Sequence, residues 1–277
     1  MRKLSKDPGR LPFRLGTSSY IIPADILPNV DFLKDKVDDI ELVLFESKEL
    51  SNIPSSDVVK KLQEYADAWN LTYTVHLPYD VKAASYDEDE RRHAVDTWIR
   101  VIKATCSLPV HGFIVHLEPE RYRDENGRPC LVPADDIKKW EDRMKLSMKE
   151  LREGTRDLVD PSLLCIETLS YDIMPFVSAI LGSGFSLTLD VGHLWLNGCY
   201  SVSYVKALLP YTRIIHLHGV RGLKDHQALT VNDKGQLSEF LSLLGQYRGL
   251  DLVVTLEIFS EEELKDSLSL LDEMGVF

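Results

Sequence analysis

The sequence predicts an α/β protein folded as a (β/α)8 TIM barrel, and three observations predict it. Eight short apolar runs alternate with stretches of helical periodicity, the signature of parallel strands joined by crossover helices. The length of 277 residues suits a fold that occupies about 250. Seven of the runs end in an acid or a histidine: Glu46, His76, His116, Glu167, Asp190, His216 with His218, and Glu257. The carboxyl ends of barrel strands form one face, so these residues are expected to converge although they are far apart in sequence.

The elements follow in order. Residues 1–12 are charged and polar and read as an extension; residues 13–277 read as one barrel domain. Phe13 to Tyr20 is strand one, and Ile26, Val30, Leu33 and Val37 carry the spacing of the first helix. Ile40, Leu42, Leu44 and Glu46 alternate as strand two, after which Ser55 or Ser56 caps a helix bearing Val58, Leu62, Tyr65 and Trp69. Leu71 to Asp80 holds strand three, and a charged helix runs from about Asp87 to Leu108, its Asp87 to Arg92 start read as a solvated face.

Gly112 to Glu120 is strand four, and the stretch from Pro119 to Pro133 is the longest irregular one, ahead of a helix from about Ala134 to Thr155. Ser162 to Ser170 holds strand five, and a short helix follows Pro175. In Leu187-Thr188-Leu189-Asp190-Val191-Gly192-His193, the sixth strand, Thr188 and Asp190 share the face opposite Leu187, Leu189 and Val191. Val202 to Leu209 is its helix. Ile214 to Gly219 is strand seven, its loop running from Val220 to Thr230 before a helix from Leu237 to Tyr247. Leu252 to Ser260 is strand eight, and Ser260 caps a last helix whose Glu261, Glu262 and Glu263 suit the helix dipole.

Composition narrows the function. With 32 Lys+Arg against 44 Asp+Glu, the net charge of -12 disfavours tight binding to long nucleic acid. The four cysteines, Cys106, Cys130, Cys165 and Cys199, are scattered without a CxxC pair, so neither a disulfide framework nor a zinc knuckle is expected. No apolar run approaches the roughly 18 residues of a membrane span, and the start lacks the apolar stretch of a signal peptide. A cytoplasmic protein acting on a small molecule is the expectation; the oligomeric state is left open.

A set of His, Asp and Glu without cysteine suits divalent ions, Zn²⁺ foremost and Mn²⁺ or Fe²⁺ as alternatives. Arg221 and Lys224, in the loop after strand seven, are candidates for contacting a phosphate or steadying its developing charge. Tyr20, Glu46, Trp195 and His218 are candidates at the substrate mouth, with Ser18, Ser19 and Tyr200 beside them. Packing at the barrel rim is the other reading for Ser18, Ser19, Tyr20, Trp195 and Tyr200, and a ligand role is that for His218, which shares a face with His216. Glu46 is open to two further readings, as an anchor for a ligand imidazole or as a capping carboxylate. Cys165 reads as a small core residue, and His93 and His111 as solvent or packing residues.

This arrangement of strand-end residues resembles the xylose isomerase-like superfamily, and within it the AP endonuclease 2 group that includes endonuclease IV. The resemblance implies that His76 and His116 hold one ion and that Glu167 bridges it to a second, completed by Asp190, His216 and Glu257. It also implies a third ion on His193 and His226, so one to three ions in all. At that third site the family pattern has an aspartate two positions before the last histidine; here Lys224 stands there and Asp225 abuts His226. Glu167 and Glu257 are thereby implied as catalytic as well as ligating.

Three further stretches, TSSYIIPADILPNV (Thr17 to Val30), VDDIELVLFES (Val37 to Ser47) and HLP (His76 to Pro78), resemble the cobamide-remodelling phosphodiesterase family, CbiR. That resemblance implies hydrolysis of the phosphodiester in the nucleotide loop of a cobamide, a step of corrinoid salvage. The alternatives are a sugar isomerase or epimerase using only Glu167, Asp190, His216 and Glu257, an AP-type DNA endonuclease, and a corrinoid-binding barrel without turnover.

Overall fold

Eight parallel strands close on themselves, each strand after the first preceded by helical structure on the outside. In the computed structural model, which describes residues 13–47, 50–118, 134–247 and 249–276 (residues 134–136 by their backbone), the barrel strands are β1 (Phe13–Ser18), β2 (Asp39–Val43), β3 (Thr72–His76), β4 (Val110–Val115), β5 (Leu164–Glu167), β6 (Ser186–Asp190), β7 (Thr212–Leu217) and, after a hairpin, β10 (Leu252–Leu256). β10 pairs with both β7 and β1, and this closes the ring. The main helices are α1 (Ile26–Leu33), α2 (Ser56–Trp69), α3 (Glu88–Thr105), α4 (Ala134–Thr155), α5 (Val177–Gly182), α6 (Val191–Leu196), α7 (Val202–Leu208), α8 (Lys234–Leu244) and α9 (Glu261–Glu273). Residues 1–12 and the stretch from Pro119 to Pro133 lie outside the described residues, and Cys130 with them.

Alternation along each strand sorts the core. Outward residues such as Ile40, Leu42, Val75, Phe113, Ile166, Leu189, Ile215 and Val254 join one continuous core with the helices. Ile114, Cys165 and Ile214 form a separate buried cluster, and each stands two residues before a site residue, His116, Glu167 and His216. They floor the inner face beneath the site. Cys165 is thus a core residue, its thiol pushed up to about 12 by burial.

Local chemistry starts most of the helices. Ser55 accepts from the Val58 amide, Asp87 from those of Asp89 and Glu90, and Ser260 from that of Glu263. α1 stops at Leu33, earlier than the spacing through Val37 predicts, because Lys34 to Lys36 turn the chain into β2. Among the described residues no helix is long and apolar enough to cross a membrane.

At the start of α3, Asp87, Glu88, Asp89, Glu90 and Arg92 are exposed, as expected of a solvated face, and Arg91 alone departs from it. Arg91 is fully buried and each of its guanidinium N–H groups has a partner: Glu88 at 2.9 Å twice, Glu150 at 2.8 and 3.0 Å, and Ser147 at 2.9 Å. It clamps α3 to α4. Both carboxylates remain partly solvated, so the loss of Arg91 leaves charges that water can reach. Arg91→Ala is therefore expected to cost about 3 kcal/mol, the low end for breaking such a pair, read as a lower urea midpoint; a midpoint within error of the unaltered chain refutes the clamp.

Candidate metal centre

At the carboxyl ends of the strands the histidines and carboxylates meet in three connected groups: His76, His116 and Glu167; Glu167, Asp190, His216 and Glu257; and His193, His218 and His226. Within each group the potential ligand atoms lie within 4.8 Å of one another. Glu167 belongs to two of them. Its Oε2 accepts from His116 Nε2 at 2.6 Å and stands 3.7 Å from His76 Nε2, while Oε1 lies 3.1 Å from His216 Nδ1.

Each ring is aimed by its surroundings. His76 Nδ1 donates to the Leu77 carbonyl at 2.9 Å, which leaves Nε2 facing the cluster. His216 turns Nδ1 toward Glu167 and Glu257, both at 3.1 Å. Asp190 ends β6 and also caps α6, accepting from the His193 amide at 2.7 Å. That cap folds the chain back so that His193, in the first turn of α6, brings Nδ1 to 3.1 Å from Asp190 Oδ2.

The third group depends on the loop after β7, which forms a hairpin, β8 (Gly219–Arg221) and β9 (Lys224–Gln227). His226 adopts φ of +51°, a left-handed backbone that a non-glycine residue takes at a cost of order 1 kcal/mol. In that conformation its amide donates to His218 Nδ1 at 3.0 Å, and its own Nδ1 lies 3.1 Å from the Glu257 carbonyl. Two backbone groups thus compete for His218 Nδ1, since the Gly219 carbonyl is 3.4 Å away. Were His218 to hold a cation through Nε2, its proton would sit on Nδ1 and be donated to the Gly219 carbonyl. Asp225 Oδ2 stands 4.0 Å from His193 and 3.9 Å from His226, at the margin of the group.

Gly192 makes room for His218. A Cβ there would lie 2.1 Å from His218 Cε1 and 2.3 Å from Nε2, so no other residue fits without moving the ring. Gly192→Ala is expected to destabilise the chain by about 1–3 kcal/mol through overpacking, measured by urea denaturation. An unchanged midpoint refutes the contact.

Electrostatics shows how the cluster is balanced. Burial pushes the Glu167 carboxyl up, but His216 and His116 outweigh it and hold it well below the carboxylate range. Burial likewise works against a proton on His216, yet Glu257, Glu41 and Glu167 raise it well above an ordinary imidazole. His218 is raised to about 9, burial being overcome by Asp190. Protons on imidazoles here offset the buried carboxylates.

Divalent ions fit these residues. Asp190 Oδ2, His193 Nδ1, His218 Nε2 and Glu257 Oε2 are buried without a hydrogen-bond partner, although they approach other site atoms closely. Buried orphan atoms are costly, and these four face one another in the groups just described. The cleft above them has a volume of about 910 Å³ and mixed walls: His76, His116, Glu167, His193, His226 and Glu257 at the floor, Tyr20, Ile22, Phe45, Tyr79 and Phe259 around the mouth.

Several expected site residues lie elsewhere. Arg221 and Lys224 pair across the hairpin tip, exposed and outside the cleft lining, because the tight turn at Gly222 aims the tip at solvent. Trp195 packs toward Phe240 and Tyr200 on the helix layer, so it is a packing residue. Glu46 lies past the end of β2, bridged to Ser51 and paired with Arg100 at 3.2 Å, away from the ligand imidazoles. Tyr20 does line the mouth, its ring 5.6 Å from that of Phe45. His93 is exposed, and His111 packs against the Asp251 carbonyl at 3.1 Å.

The sequence reading missed Glu41. It followed the apolar residues of β2 to Glu46, whereas the inward face is Asp39, Glu41 and Val43. The signal was present as two acids alternating inside a strand with no room to be solvated.

No curated protein matches the chain. Solved structures share the fold at low identity. A D-tagatose 3-epimerase-like protein superposes with a TM-score of 0.73 at 20% identity, over 94% of this chain and 96% of that one. The 3-keto-D-glucoside 4-epimerase YcjR from E. coli gives 0.72 at 13%, over 95% and 98%. Endonuclease IV from Thermus thermophilus gives 0.67 at 15%, over 94% and 98%. The family profile of the xylose isomerase-like TIM barrel (AP_endonuc_2) matches residues 34–274, and with the closed barrel and its strand-end cluster in place the chain belongs to that family.

Proposed function

We propose that the protein is a metal-dependent phosphodiesterase that cleaves the nucleotide loop of a cobamide, with Zn²⁺ as the first candidate ion and Mn²⁺ or Fe²⁺ as alternatives, acting in the cytoplasm on this small molecule in corrinoid salvage. The observation that carries the hydrolytic part is the sharing of Glu167 between two ligand groups, with a third group of histidines beside them. Paired divalent ions supply charge neutralisation to a phosphate and bring a water pKa toward neutrality.

The residues divide the work. His76, His116 and Glu167 would hold one ion, and Glu167 with Asp190, His216 and Glu257 the next; His193, His218 and His226 suit a third. Glu167 and Glu257 keep the floor anionic, as both carboxyls are held below their ordinary range against the effect of burial, chiefly by His216. The apolar mouth of Tyr20, Ile22, Phe45, Tyr79 and Phe259 excludes water and suits a large, partly apolar ligand better than a free sugar. Support for the cobamide comes from the likeness of Thr17 to Val30, Val37 to Ser47 and His76 to Pro78 to the cobamide-remodelling family; the first two of these stretches supply Tyr20, Ile22 and Phe45 to that mouth.

A ketose epimerase is the second reading, because Glu167, Asp190, His216 and Glu257 form a complete group by themselves. It leaves His76 and His116, and the group of His193, His218 and His226, without a task. The deciding experiment is incubation of purified, metal-analysed protein with an adenosylated cobamide, followed by mass spectrometry. Release of a lower-ligand riboside is the expected result, and the corrinoid product mass locates the phosphate. An intact cobamide at full metal content overturns the proposal, and interconversion of free ketoses then supports the second reading.

A further inference from the structure

Glu41 sits in the middle of β2 on the inner face of the barrel, and its side chain is fully buried. A carboxylate in that position has no access to water, so its charge is expensive unless a specific partner meets it. The partner within reach is His216: Oε2 lies 2.9 Å from His216 Nε2. The opposite ring nitrogen, Nδ1, is the one that faces Glu167 and Glu257 at 3.1 Å each, with Asp190 at 3.8 Å. Ionised carboxylates only accept, so a proton between Glu41 and His216 belongs to Nε2.

The framework holds this contact in place from both ends. β2 lies between β1 and β3, with Glu41 in register with Ser18 and Thr74. The Glu41 carbonyl accepts from the Ser19 amide at 2.8 Å, so the strand cannot slide to move the carboxylate. β7 is fixed on the far side of the ring by pairing with β6 and β10. Glu41 therefore reaches across the barrel interior to a histidine that follows it by 175 residues.

We infer that Glu41 is a positioning residue for the metal centre: by accepting the Nε2 proton of His216 it fixes the tautomer that presents Nδ1, with its lone pair free, to the group formed with Glu167, Asp190 and Glu257. It touches neither substrate nor the reacting atoms. This rests on His216 acting as a metal ligand, and not on the identity of the substrate.

The test is zinc affinity, measured on the chain after chelator treatment by competition with a chromophoric chelator, for the unaltered protein, Glu41→Ala and Glu41→Gln. Loss of a hydrogen-bond partner behind a ligand histidine weakens metal binding by about 10–100-fold, and that is the expectation for Glu41→Ala. In Glu41→Gln the amide oxygen still accepts the Nε2 proton, so the tautomer is kept and only the charge is lost; it should recover most of the affinity. A structural role alone does not produce this order. Zinc binding by both variants as tight as that of the unaltered chain overturns the inference while leaving the phosphodiesterase proposal standing. Equal weakening in both variants also overturns it, because charge and not proton placement then decides. If the Ala variant does not fold, the isosteric Gln variant is read against Glu41→Leu, which keeps the volume and cannot accept. Absence of zinc binding by the unaltered chain overturns this inference and the metal-dependent reading together.

Discussion

Glu167→Ala lowers phosphodiester cleavage by at least ~10³-fold, the scale expected when a bridging ligand and the charge it supplies are removed together. The effect is large because one carboxylate serves two ligand groups: Oε2 meets His116 and His76, and Oε1 meets His216. No other described residue belongs to both groups. The barrel should survive, since β5 is held by its pairing with β4 and β6 and by Leu164 and Ile166 in the core. Far-ultraviolet circular dichroism checks the fold, and mass spectrometry of the products checks the rate. Near-normal turnover by a folded variant refutes a mechanism centred on these ions.

Metal-induced stabilisation of the chain grows as pH rises from about 6.5 to about 9. The direction follows from the site histidines. Opposed by burial, the neighbouring carboxylates nevertheless raise His76, His193 and His216 above the ordinary 6.5, His216 well above it, and His218 to about 9. A raised histidine stabilises the metal-free fold fully below 6.5, and that contribution is lost as pH climbs through the folded value. The proton that competes with the metal is lost as each of these histidines passes its own folded value, and below that value each displaced proton strengthens metal binding about tenfold per pH unit. Glu167, held low, titrates below this window and does not disturb it. Thermal unfolding at fixed free zinc, set by a chelator buffer, gives the readout. A difference between loaded and metal-free melting temperatures that shrinks with pH contradicts the protonated cluster.

Much of this protein was legible because its periodicities were clean. Strand-end residues such as His76, His116, Glu167 and Asp190 could be placed on one face from alternation alone, and Ser55 and Ser260 marked two helix starts. Strand two failed because both of its faces are buried. Apolar alternation then reports the helix-facing side, Ile40 and Leu42, and hides the acids on the inner one. The hairpin after β7 failed for a different reason: its tip and its base differ by a few residues in sequence, yet Arg221 and Lys224 are exposed while His226 faces the cluster.

The sequence by itself determined the barrel, most of the strand-end cluster and the acidic charge balance, because each is a property of local pattern or composition. Tertiary structure brought the three groups to within reach of one another, set His218 beside His193 and His226 out of the two roles open to it, and showed that Gly192 leaves space for it. It also decided that Glu41 stands behind His216 and that Arg91 is buried. These are contacts between residues up to 175 positions apart, set by the closure and register of the ring. No periodicity along the chain encodes a distance across the barrel.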